Sequence, residues 1–119
     1  MDFKKSEQIV VIDDDPSVQL QWELTLRRKN LEPLSYDSYE DFELKKAERP
    51  ALRSAIIDYH YDNSEVDGFE IIKHLRALGF SNIILCTGEY WKPAVQKRAA
   101  DIQVAVCPKP LPKIAIEVG

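Results

Sequence analysis

Four short apolar stretches in this sequence each run into residues capable of metal or phosphate chemistry. IVVI, Ile9 to Ile12, is followed by Asp13, Asp14 and Asp15; AII, Ala55 to Ile57, by Asp58; and IILC, Ile83 to Cys86, by Thr87. VAVC, Val104 to Cys107, leads through Pro108 to Lys109. Carboxylates brought together at one place repel, which raises their pKa values or destabilises the fold unless a cation shares the site. Mg²⁺ suits such a set, because it takes carboxylate and carbonyl oxygens in octahedral geometry, keeps several waters and bridges to phosphate. An Asp carboxylate is also a nucleophile toward phosphorus, and in the phosphoryl transfer that forms an acyl phosphate a metal and an ammonium neutralise the moving oxygens. Lys109 and the Thr87 hydroxyl are the right groups for that task.

The apolar stretches do not alternate with polar residues, and they are rich in β-branched side chains. That is the pattern of strands buried on both faces in a parallel sheet. LEPLSY, Leu31 to Tyr36, is a weaker fifth strand whose Pro33 places it at the rim. Helical spacing fills the gaps. Asp15-Pro16 caps and opens a first helix with Val18, Trp22 and Thr25 on one face. Ser38 and Asp41 resemble a capping box before Tyr39 and Phe42. Ile71, Leu75 and Leu78 mark a third helix that Gly79 ends in a left-handed turn. A fourth starts near Pro93 and buries Val95 and Ala99. This alternation predicts a doubly wound α/β fold with helices on both faces. Ligands in such folds sit beyond the carboxyl ends of the central strands, which is where Asp13, Asp14, Asp58, Thr87 and Lys109 fall.

The chain of 119 residues is long enough for one domain with a continuous core. A formal net charge of −4 with scattered Lys and Arg argues against direct nucleic-acid binding. No apolar run nears the roughly 20 residues of a membrane span, and MDFKKSEQ is too polar for a secretory signal, so we expect no membrane insertion and a cytoplasmic protein. Cys86 and Cys107 lie inside apolar runs without C-x-x-C spacing and are expected as buried reduced thiols.

Taken in order, VVIDDDP, SAIID with DGFE downstream, IILCTGE and PKPL resemble the four signature regions of response-regulator receiver domains, at close to the family's spacings. The resemblance spans nearly the whole chain. It implies a flavodoxin-like, five-stranded parallel sheet in the order 2-1-3-4-5 between two helical layers. Carried over position by position, Asp13 and Asp14 match the acidic pair that serves Mg²⁺, with Asp14 the direct ligand. Asp58 matches the phosphoacceptor, Thr87 the switch hydroxyl and Lys109 the lysine of a Lys-Pro pair. His60 falls where the family offers a main-chain carbonyl to the metal, and a cis peptide at Lys109-Pro110 is implied. The family's partners are a sensor histidine kinase or phosphotransfer protein upstream and a downstream protein or output domain; a weak homodimer is a further expectation. Such a domain catalyses only its own phosphorylation and dephosphorylation and is not a turnover enzyme.

Several positions depart from the family pattern. YHYDNSEV, between Asp58 and Asp67, is about two residues longer than usual and lacks the common Pro. Val106 stands where Tyr, Phe or His is usual, three before the lysine, which puts the coupling of Thr87 to an aromatic in question. Only LPKIAIEVG follows Pro110, enough for a short or truncated last helix in a single domain over residues 1–119. Blander roles stand beside these: the acidic run Asp13 to Asp15 as mere helix capping, Thr87 satisfying a turn, His60 and His74 at the surface, Trp91 in local packing instead of partner anchoring. Two other functions fit some of the residues. A haloacid-dehalogenase-like phosphatase would use Asp13 and Asp15 but leaves Asp58 without a role, and a degenerate receiver would bind partners without phosphorylation.

Overall fold

A computed structural model of the chain describes residues 2–45, 52–58, 67–108 and 117–118. The strands are β1 (Gln8–Ile12), β2 (Glu32–Tyr36), β3 (Ser54–Asp58), β4 (Asn82–Thr87) and β5 (Ala105–Pro108). The helices are α1 (Pro16–Arg27), α2 (Tyr39–Lys45), α3 (Gly68–Ala77) and α4 (Pro93–Asp101). All five strands are parallel, in the order 2-1-3-4-5 expected of the flavodoxin-like fold. β2 and β5 are the edges, so Pro33 and Pro108 both sit where a missing backbone donor is tolerated.

Successive strand residues point to opposite faces, and each face has its own core. Val10, Ile12, Ala55, Ile57, Ile83 and Leu85 pack with residues of α2, α3 and α4, such as Phe42, Leu75 and Val95. Ile9, Val11, Ile56, Ile84, Cys86 and Cys107 pack with Val18, Trp22 and Leu26 of α1. Both faces being buried is why the strands read as unbroken apolar runs. Cys86 and Cys107 are buried free thiols on neighbouring strands, as expected.

The capping chemistry follows the sequence closely. Asp15 Oδ1 accepts from the Ser17 backbone N–H (2.9 Å) and hydroxyl (2.7 Å), with Pro16 at the first helical position. Ser38 Oγ accepts from the Asp41 N–H at 3.0 Å, while the Asp41 carboxylate reaches back to the Asp37 N–H at 3.3 Å. The reciprocal half of the box is thus displaced by one residue. Gly79 adopts φ 102°, the left-handed turn that closes α3.

Two helix faces differ from expectation. On α1 the buried stripe is Val18, Trp22 and Leu26, a strict i, i+4, i+8 row, and Thr25 is only half-buried. On α3, Leu78 is exposed because the helix stops at Ala77; Phe69 and Ile72 complete the buried face with Ile71 and Leu75. A further pairing was not anticipated, a parallel ladder of two residues each that joins Asp2–Phe3 to Glu117–Val118. Glu117 and Val118 are therefore strand. The rest of the stretch after Pro110 on which a short last helix is expected, residues 111–116 and 119, lies outside the described residues.

Tyr39 links α2 to α3, stacking on His74 at 5.3 Å and donating its hydroxyl to Glu43. Burial, and then the Glu43 carboxylate, push its phenol above the ordinary value of 10.0. A group whose pKa is raised by folding adds stability that is complete below its unfolded value and is lost as pH rises beyond it. The native chain is expected to lose stability more steeply above about pH 10 than Tyr39→Phe does. Denaturant melts at about pH 8 and about pH 11 check this, and equal losses in the two proteins would refute it.

Candidate functional site

The order of the strands places the acidic residues. β1 and β3 are neighbours in a register that pairs Ile9 with Ser54 and Val11 with Ile56. Two residues further along, Asp13 therefore comes opposite Asp58, on the same side of the sheet as Val11 and Ile56, with strands about 4.8 Å apart. Asp14, the next residue, turns in to join them. One carboxylate oxygen from each of Asp13, Asp14 and Asp58 lies within 4.8 Å of the others. Asp13 is 2% exposed, Asp58 6% and Thr87 2%, whereas Asp14 is half-buried at the mouth.

Local hydrogen bonds fix the β1–α1 turn that carries the pair. The Asp13 N–H donates to the Tyr36 carbonyl at 3.2 Å, extending the ladder with β2 past its last formal pair. Asp13 Oδ1 accepts from the Asp15 N–H at 2.9 Å. Asp15 itself serves as the helix cap, so of the three consecutive aspartates two enter the cluster. The Gln19 side chain, one turn into α1, donates from Nε2 to the Asp13 carbonyl, the Tyr36 carbonyl (3.3 Å) and Asp37 Oδ1 (3.0 Å). Nothing in the sequence singles out Gln19, which reads as one more polar helix residue.

Thr87 ends β4 one register step beyond Cys86, the partner of Asp58. Its hydroxyl accepts from the Glu89 N–H at 3.0 Å, a local turn that opens the loop to α4. In that loop Tyr90 is exposed and Trp91 is 65% exposed, with the Lys92 ammonium 5.8 Å from its ring centroid. Val106 is half-buried against the core shared with α4, opposite Leu85. The C-terminal part of α4 is fastened to both ends of α3: Arg98 bonds Asp67, the α3 cap, at 3.3 Å and lies 4.3 Å from the Phe69 ring, while Arg76 donates to the Gln103 carbonyl, just past α4, at 2.9 Å. Lys109, His60 and the Lys109-Pro110 peptide lie outside the described residues.

The donor set fits a hard divalent cation. Oxygens on one Mg²⁺ at 2.0–2.1 Å stand roughly 3 to 4 Å apart, so carboxylate oxygens already within 4.8 Å need only small side-chain rotations. Among the described residues the cluster holds carboxylates and no thiol or imidazole donor to favour a softer metal. The site lies at the carboxyl ends of β1 and β3, where the winding direction reverses, as the general rule for doubly wound sheets requires.

Solved structures settle the fold. The chain is similar to the chemotaxis protein CheY4 of Vibrio cholerae, at 21% identity over 89% of this chain and 88% of that one, with a TM-score of 0.75. A response-regulator receiver domain from Clostridium thermocellum is 18% identical over 89% of this chain and 84% of that one, with a TM-score of 0.71. A CheY-like receiver domain protein from Methanospirillum hungatei is 19% identical over 92% and 85%, with a TM-score of 0.70. This is the receiver fold. No protein-family model matches the sequence, and no curated protein matches it closely enough to count. Among the described residues of this receiver fold, no helix is long and apolar enough to cross a membrane.

Proposed function

We propose that this chain is a phosphoacceptor receiver domain of a two-component response regulator or hybrid kinase, modified on Asp58. The observation that carries the proposal is the meeting of Asp13, Asp14 and Asp58 at the carboxyl edge of a receiver fold. Asp14 and Asp58, with the His60 carbonyl, would hold Mg²⁺, and Asp13 would complete the acidic set. The bound ion would offset charge on the incoming phosphoryl group. An Asp58 carboxylate oxygen forms the new O–P bond as the P–N bond of a phosphohistidine breaks and the imidazole leaves; with acetyl phosphate the leaving group is acetate. Lys109 supplies an ammonium to the phosphoryl oxygens, and Thr87 trades its turn hydrogen bond for one to the same group.

The protein would thus catalyse its own modification in the cytoplasm, take phosphate from a histidine kinase or phosphotransfer protein, and pass the change to a downstream protein or output domain. With Val106 in the place of an aromatic, the change would travel through Thr87 and the loop of Glu89, Tyr90 and Trp91. Incubation with acetyl phosphate and Mg²⁺ is expected to add one phosphate by intact mass, with no gain in Asp58→Asn. An unmodified native chain would favour a binding module that works without phosphate, and steady turnover of small phosphate esters would favour a phosphatase.

A further inference from the structure

We infer that Gln19 is a positioning residue for the cation site, holding the Asp13–Asp14 peptide in the orientation that turns Asp14 inward. The inference rests on the receiver reading above. Gln19 Nε2 is surrounded by three acceptors, the carbonyls of Asp13 and Tyr36 and the Asp37 carboxylate, which assigns the nitrogen to that side of the amide. One planar group thereby ties the end of β1, the end of β2 and the first turns of α1 together.

The Asp13 carbonyl belongs to the peptide plane between Asp13 and Asp14. Rotating that plane swings the Asp14 Cα–Cβ bond, while Asp13 itself stays fixed by its N–H to Tyr36 and by its carboxylate to the Asp15 N–H. The bond from Gln19 thus restrains Asp14 through the peptide that carries it. Asp14 lies beyond the last β1 pair and is half-buried, so its direction is set by the turn that carries it. Groups that orient metal ligands without touching the metal typically contribute tenfold to a hundredfold in affinity.

Calorimetric titration of Mg²⁺ into the chelator-treated full chain tests this. Gln19→Met keeps the length, shape and helix propensity but removes the donor. Its Mg²⁺ dissociation constant is expected to rise about tenfold or more at a temperature where both proteins are fully folded. Asp37→Ala leaves Gln19 with its two carbonyl partners and is expected to weaken Mg²⁺ by no more than about threefold; Gln19→Leu, which also removes the donor, carries the expectation of a rise of about tenfold or more should Gln19→Met fold poorly. A merely structural Gln19 would lower the melting temperature without moving the Mg²⁺ constant, and that result overturns the inference while leaving the receiver reading intact. Native chain whose Mg²⁺ binding is absent, or is unaffected by Asp14→Ala, overturns both. An Asp37→Ala loss as large as that of Gln19→Met would place the effect in Asp37 and also count against Gln19.

Discussion

Asp58→Asn is expected to melt above the native chain in the presence of a chelator and to gain almost nothing from Mg²⁺. Three carboxylates within 4.8 Å of one another, two of them buried, form a concentrated patch of like charge. Two unit charges 4 Å apart interact by about 4 kcal/mol at an effective dielectric of 20. Whatever cationic groups face the cluster, exchanging one carboxylate for an amide of the same shape removes repulsion with both remaining members. After screening and relaxation, roughly 1–2 kcal/mol of added stability is expected, an increase of several degrees in Tm for a domain of this size. Mg²⁺ at a hundred times its dissociation constant should stabilise the native chain by about 2.7 kcal/mol. Differential scanning calorimetry of both proteins, with and without Mg²⁺, makes the comparison. A native Tm that ignores Mg²⁺, or an Asn variant that keeps the full Mg²⁺ shift, would remove the cation site from this edge.

The largest loss of stability is expected from Trp22→Ala. Trp22 is 1% exposed at the centre of the core under α1, among Ile9, Val11, Val18, Leu26, Leu31 and Ile56. Truncating a fully buried tryptophan removes its transfer free energy and leaves a cavity that the sheet cannot close, together about 3–5 kcal/mol. That is a large part of the 5–15 kcal/mol available to a typical domain. Leu24, on the same helix but half exposed, provides the control: Leu24→Ala should stay within roughly 0.5 kcal/mol of the native chain. Urea melts of the two variants decide the matter, and a Trp22→Ala cost below about 1 kcal/mol would show that α1 does not pack on this face. The same helix carries Asp15 and Gln19, so its docking also steadies the turn that presents Asp13 and Asp14.

How far the fold could be read from the chain depended on burial. β1, β3 and β4 were visible because strands covered on both sides carry apolar residues at every position; their observed ends reach one residue further on at least one side. That extension matters at the site. Asp58 and Thr87 were read as following their strands, whereas each is the last paired residue of its strand and is positioned by the ladder itself. β5 is displaced by one, losing Val104 and gaining Pro108, because an edge strand is set by its single partner and not by its own pattern. The helical period points to Thr25 and Leu78, whereas the buried face of α1 runs through Leu26 and α3 ends at Ala77. Both positions lie in the last turn of a helix or just past it, where the regular period gives way to the cap.

The residue types fixed the chemistry available to this protein: hard oxygen donors, a carboxylate nucleophile, a hydroxyl and an ammonium at the ends of buried strands are properties of composition and local pattern. Local preferences also settled the caps at Asp15 and Ser38 and the turn at Gly79, since those interactions span only a few residues. Which carboxylates meet was decided by tertiary structure, because Asp13 and Asp58 are opposed only when β1 lies beside β3 in one register and no local rule supplies that pairing. The same holds for Gln19, whose acceptors come from the ends of two strands. Energies that depend on groups distant along the chain exist only once the sheet has assembled.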